Sequence, residues 1–244
     1  MDDKVLDLIK DADKILIGIG ESFEYTYGDF RDDNLKELEQ RDYMAADLKK
    51  LQYRMEHPDD KVVEAYNCLY DLVKEKDFFV LSTCIDDRIY NSNIPEEKIV
   101  TPCGTYRYLQ CSAMEQEECK QKLLPFSIDM IKQIDMVKCP VCGSNVCFNH
   151  VYMKNYNESG YLSQWAEYRN WLQCTINKKL CILELGVGSK FPNIIRWPFE
   201  KVGFYNNKAS FIRVHETLYQ LTEELSGKGV SVKENPIDFL LSSN

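Results

Sequence analysis

Several short runs of consecutive apolar residues recur along the chain, each closed by glycine or a polar residue. They are Lys14-Ile15-Leu16-Ile17, Phe78-Phe79-Val80-Leu81-Ser82, Leu180-Cys181-Ile182-Leu183-Glu184-Leu185 and Ala209-Ser210-Phe211-Ile212-Arg213-Val214. Runs without polar alternation read as strands buried on both faces, as in parallel sheets. Lys98-Ile99-Val100 and Val230-Ser231-Val232 add shorter strands. Between them, apolar residues at helical spacing predict helices near 5–9, 62–76, 162–172, 193–202 and 236–241, with Pro198 kinking or interrupting the fourth. Residues 32–60 are polar and helix-prone (Leu35, Leu38, Tyr43, Leu48, Leu51, Tyr53) and end at His57-Pro58, which predicts a helical insert with His57 at a surface turn. Strands alternating with helices predict an α/β fold, a Rossmann-like parallel sheet with helices on both faces.

The strand ends carry the candidate chemistry. The first strand runs into Gly18-Ile19-Gly20-Glu21-Ser22, and the strand at 180–185 into Gly186-Val187-Gly188-Ser189. Close glycines after a strand let backbone N–H groups approach a pyrophosphate, although a lone G-x-G also ends many ordinary strands. The second strand ends in Thr83-Cys84-Ile85-Asp86, and a ligand in an open α/β sheet lies beyond such carboxyl ends.

The stretch Val100-Thr101-Pro102-Cys103-Gly104 opens a run of thiols comprising Cys111, Cys119, Cys139, Cys142 and Cys147. Cys139-x-x-Cys142 followed by glycine is half of a zinc knuckle. Cys111 and Cys119 are the favoured partners, with Cys147 the rival fourth ligand, in a zinc-binding insert spanning 103–147. Four thiolates leave no open coordination position, so this zinc is expected to be structural. Cys68, Cys174 and Cys181 stand in apolar periodic contexts and read as small core residues.

Composition narrows the function classes. Of 244 residues, 44% are hydrophobic and 28% charged, enough to bury a sizeable core in one domain. Thirty Lys and Arg against 39 Asp and Glu give a net charge of -9, with no basic stripe of the kind nucleic acid requires. No apolar run approaches the ~20 residues of a membrane span. Met1-Asp2-Asp3-Lys4 has no signal-peptide pattern, so a cytoplasmic location and ten reduced cysteines are expected.

Taken together, these pieces resemble the sirtuin family. Its G-A-G-I-S and D-F-R motifs are matched by Gly18-Ile19-Gly20-Glu21-Ser22 and Asp29-Phe30-Arg31 at the same spacing. Its T-Q-N-I-D resembles Ser82-Thr83-Cys84-Ile85-Asp86, its H-G resembles Cys103-Gly104, and its G-T-S resembles Gly186-Val187-Gly188. The run Leu183-Glu184-Leu185-Gly186-Val187-Gly188, continued by Pro192-Asn193-Ile194-Ile195-Arg196-Trp197-Pro198-Phe199, is similar to the macrodomain-linked class M. The resemblance implies NAD as cofactor and a single sirtuin-like domain over residues 1–244, weakest over 32–60 and after 220. It assigns Gly18, Gly20, Ser22, Gly186 and Gly188 to the phosphates and riboses, and Phe30 and Arg31 to covering the cofactor. Asp86 is assigned to the nicotinamide amide, and His215 to the place of the Asn that holds the adenosine ribose. Cys84 and Cys103 then stand where the family keeps its Asn and its His or Gln. An unperturbed thiol is only about 3% ionised at neutral pH, so the usual deacylation route loses its base. The implied activity is ADP-ribose transfer (or deacylation) with release of nicotinamide, on a protein acceptor such as an acyl- or lipoyl-carrier-like protein. The alternative is a catalytically degenerate module that binds NAD or ADP-ribose, and a third reading makes Cys103 a nucleophile. The oligomeric state stays open.

Overall fold

The computed structural model describes residues 3–24, 34–57, 61–113 and 116–242. The apolar runs form β1 (Lys14–Ile19), β2 (Asp77–Ser82), β7 (Leu180–Leu185) and β8 (Ser210–Val214); β3 (Ile99–Val100) and β9 (Gly229–Val232) are the shorter strands. These six make one sheet in the order β3-β2-β1-β7-β8-β9, with every pairing parallel. Counting only this sheet's strands along the chain, the order is that of a doubly wound dinucleotide fold, with its reversal between β1 and β7.

Each central strand is buried on both sides because its side chains alternate into two cores. Ile15, Ile17, Ile19, Leu183 and Leu185 face helices Asp3–Asp11, Lys61–Val73 and Pro236–Leu241. Leu16, Phe79, Leu81 and Ile182 face Tyr168 of helix Leu162–Gln173 and Phe199 of helix Arg196–Tyr205. The expected kink at Pro198 does not form. The helix begins at Arg196, so Pro198 lies in its first turn, where no intrahelical donor is lost. Cys68 and Cys181 are buried as expected, whereas Cys174 is exposed at the C-cap of helix Leu162–Gln173. Among the described residues no helix is long and apolar enough to cross a membrane.

A second sheet in the order β5-β4-β6 is antiparallel and is built from β4 (Gly104–Cys111), β5 (Leu124–Pro125) and β6 (Val146–His150). Helices Leu35–Arg41 and Tyr43–Glu56 precede it in the chain, separated by Asp42, whose Oδ1 accepts from the Ala45 amide at 3.1 Å. Asp47 of the longer helix fastens it to the small sheet. Its carboxylate accepts from the Tyr106 hydroxyl at 2.8 Å and lies 2.8 Å from His150 Nε2, all three groups buried. Leu51, Ile85, Cys103, Tyr106, Leu109 and Phe148 form the core beneath.

Candidate functional site

The strand-order reversal brings the two glycine loops against each other. The Gly20 amide donates to the Leu185 carbonyl at 2.9 Å, and the Ser22 amide to the Gly186 carbonyl at 3.3 Å. A Cβ on Gly20 would sit 2.3 Å from both the Gly186 oxygen and the Val187 Cα. Gly186 has φ +63°, and a Cβ there would lie 2.5 Å from that of Ser22. Two of the expected phosphate glycines are therefore required first by loop-on-loop packing. Gly18 points away from the crevice, since its Cβ would strike Ile195 and Phe199 under the sheet at 2.6 and 2.8 Å. Arg196 holds the second loop from behind through the Val187 and Leu218 carbonyls, at 2.8 and 3.0 Å.

Glu21, whose part the sequence did not reveal, spans the two loops. Its Oε2 accepts from the Gly188 amide and its Oε1 from the Lys190 amide, both at 3.1 Å. Lys190 Nζ lies 3.6 Å from Glu24 Oε2 and 4.7 Å from the Tyr152 ring centre.

The residues after β2 join this crevice. The Thr83 amide donates to the Ile19 carbonyl at 3.0 Å, and Cys84 Sγ donates to the Gly20 carbonyl at 3.2 Å. Asp86 is consumed internally: the Arg88 amide donates to Oδ1 at 3.1 Å, and the Arg88 guanidinium donates to Oδ2 at 2.9 and 3.1 Å. Arg88 also donates to the Phe23 carbonyl, so the pair clamps the first glycine loop onto the end of β2. Cys103 arrives from the other sheet. Gly104 after it has φ +76°, and a Cβ there would come within 2.1 Å of the Asn149 carbonyl oxygen. The Tyr106 amide donates to the Ile85 carbonyl at 3.0 Å, tying β4 to the same corner.

Burial sets the state of both thiols. Desolvation pushes Cys103 up to about 12 and Cys84 well above the ordinary thiol value, with Glu24 the next largest influence on each. Both are neutral near pH 7 and fully or nearly fully buried, a poor setting for a thiolate nucleophile. Glu24 is the carboxylate that sequence reading missed here. Its Oε1 accepts from the Ile85 amide, between Cys84 and Asp86, at 2.8 Å. Burial, the dominant influence, raises Glu24 above the usual 4.5 despite Lys190. The folded chain therefore retains a proton there that the unfolded chain releases above pH 4.5. The stability this contributes is complete below the unfolded value and lost as pH rises through the folded one. Glu24→Gln is thus expected to gain stability over the parent as pH rises above 4.5, read as melting temperature. A gain that shrinks toward pH 8 overturns the assignment.

His215, just past β8, accepts from the Thr217 and Leu218 amides at Nδ1, at 3.0 and 3.1 Å, which leaves the Nε2 proton for another partner. Burial lowers its pKa from the usual 6.5. Phe30 and Arg31 lie outside the described residues. A cavity of about 650 Å³, lined by Leu172, Ile176, Val202 and Tyr205, opens beside the segments that enter β7 and β8, at the opposite end of the strands from the crevice.

The sulfurs of Cys111, Cys119, Cys139 and Cys142 lie within 4.8 Å of one another. Cys111 and Cys142 are 3.5 Å apart, and Cys119 and Cys139 are 3.8 Å apart. A tetrahedron with Zn–S bonds of ~2.3 Å has edges of ~3.8 Å, so the set fits zinc. Hydrogen bonds from Ser144 bring Cys142 down to about 6, toward the thiolate a metal takes. Cys147 stays in β6 opposite Gln110, outside the cluster.

No family profile matches the chain. It is 29% identical over 138 residues to a probable bifunctional ADP-ribose hydrolase/ADP-ribosyltransferase of Fusarium oxysporum f. sp. cubense, a match covering 51% of the chain and 23% of the relative. It is 21% identical over 186 residues to a protein ADP-ribosyltransferase of Staphylococcus aureus, covering 72% of the chain and 59% of the relative. The chain thus spans about a quarter and three-fifths of these curated relatives. A Sir2 homologue determined as its NAD complex superposes with a TM-score of 0.57 at 13% identity, over 100% of this chain and 93% of that one. The fold is the sirtuin fold.

Proposed function

We propose that this chain binds NAD across the carboxyl ends of β1 and β7 and transfers its ADP-ribose to a protein acceptor, releasing nicotinamide. The observation that carries the reading is the crevice at the strand-order reversal, where the Gly188 and Lys190 amides already hold an anionic group. The curated relatives, a probable bifunctional ADP-ribose hydrolase/ADP-ribosyltransferase and a protein ADP-ribosyltransferase, support the transfer reading, in which the chain is of the macrodomain-linked kind. In this reading residues 1–244 act as one unit, with a helical insert at 32–60 and a zinc-bearing insert at 103–147. A cytoplasmic location belongs to the same reading.

Gly188, Gly186 and Ser22 border the phosphates and riboses, Gly18 and Gly20 permit the packing beneath them, and His215 serves the adenosine end through Nε2. Phe30 and Arg31 are assigned to the cofactor's cover by their motif. Bound NAD supplies a glycosidic bond whose leaving group is nicotinamide. Asp86, through Arg88 and the Phe23 carbonyl, holds the first glycine loop on the end of β2, and the two neutral thiols exclude water. Glu24, held on the Ile85 amide between Cys84 and Asp86, is the group placed to take a proton from the acceptor when it is ionised. An acyl- or lipoyl-carrier-like protein remains the acceptor class.

The test is incubation of the pure chain with NAD and candidate acceptors. Nicotinamide should appear together with ADP-ribose on the acceptor. Calorimetric binding of ADP-ribose without any nicotinamide would instead establish the binding-module reading, which the burial of both thiols favours. No binding and no release would overturn both.

A further inference from the structure

We infer that Glu21 is an internal competitor for the nucleotide's phosphate, an inference that rests on the nucleotide reading of the crevice. Glu21 holds the fourth position of the first glycine loop, where the motif it resembles has isoleucine. Its two carboxylate oxygens accept from the Gly188 and Lys190 amides, each at 3.1 Å. Two backbone N–H groups converging on one anion are the arrangement with which glycine loops hold phosphate.

The fit has a steric side as well. A Cβ on Gly188 would lie 2.3 Å from Glu21 Oε1 and 2.8 Å from its Cδ, so the glycine leaves space that the carboxylate fills. The nearest cations are committed elsewhere. Lys190 Nζ faces Glu24 and the Tyr152 ring, while Arg196 donates to the Val187 and Leu218 carbonyls. Glu21 is therefore held chiefly by the amides.

Each amide has a single proton to donate. A ligand phosphate at Gly188 and Lys190 would also meet Glu21 as a like charge at short range. Binding thus requires Glu21 to leave, and the observed affinity is reduced by the fraction of chains in which it has left. Hydrogen bonds to a charged acceptor are strong enough that the reduction should be about tenfold or more.

Calorimetry on the full chain with two ligands tests this. Glu21→Gln removes the charge and keeps the length. It should bind ADP-ribose at least about tenfold tighter than the parent, and adenosine, which lacks phosphate, equally well. Glu21→Ala should shift ADP-ribose in the same direction. Parent and variants with equal ADP-ribose affinity would overturn the inference and leave the nucleotide reading standing. Weaker binding of both ligands by the variants would make Glu21 a ribose ligand, which also overturns it. If no protein binds either ligand while all melt at the parent temperature, the nucleotide reading fails and this inference with it.

Discussion

Cys142→Ser is expected to strip the metal from the chain and to unfold the thiol-bearing edge of the small sheet. The parent should carry about one zinc per chain and the variant none, measured by elemental analysis. The reason is the size of the thiol cluster's own core: Cys111, Cys119 and Cys139 pack with little beyond Ala113, Val141 and Cys142, whereas the sheet's other side rests on Tyr106, Leu109 and Phe148. Structural zinc in comparable modules contributes roughly 10–16 kcal/mol of apparent binding energy, as much as an average domain's whole stability of roughly 5–15 kcal/mol. Loss of the metal should release β4 and β6 to protease first. Cys103 directly precedes β4, whose first residue is Gly104, so the corner around Cys84 and Cys103 should loosen with it. Cys147→Ser is the control, since that sulfur lies outside the four-thiol cluster, and it should keep the zinc. Purified parent that is folded, metal-free and fully stable in chelator would end this assignment.

Gly20→Ala should cost about 3 kcal/mol or more, at the upper end of what overpacking a core costs. The added Cβ would lie 2.3 Å from two backbone atoms of the opposing loop, and backbone cannot rotate aside as a side-chain tip can. At this chain length that corresponds to a fall in melting temperature of roughly 6–12 °C. ADP-ribose binding should vanish with it, through separation of the loops and not through a collision with phosphate. Gly227→Ala is the matched control, with φ of -77° and nothing within 4 Å of its added Cβ. A Gly20→Ala protein with parental melting temperature and parental ADP-ribose affinity would refute the packing argument.

The sequence by itself determined the frame of this protein. Strands such as Ile15-Leu16-Ile17 and Leu180-Cys181-Ile182-Leu183 were legible because burial on both faces demands an unbroken apolar run, which is local information. The four zinc-site cysteines and the glycine loops were legible for a similar reason, since metal geometry and close backbone approach restrict which residues can serve. Only the tertiary structure decided what the polar groups do. Glu21 reaches amides 167 and 169 positions away, and Glu24 reaches one 61 away, so no local pattern announces either contact. Asp86 carried the right identity for a ligand contact, yet Arg88, which also donates to the Phe23 carbonyl, engages it within the fold. Cys174 had an apolar context and still ended exposed, because the helix stops at that residue. Apolar residues need only a face to bury, and periodicity encodes that. A charged or hydrogen-bonding group needs a particular partner, and which partner arrives is decided when distant strand ends meet.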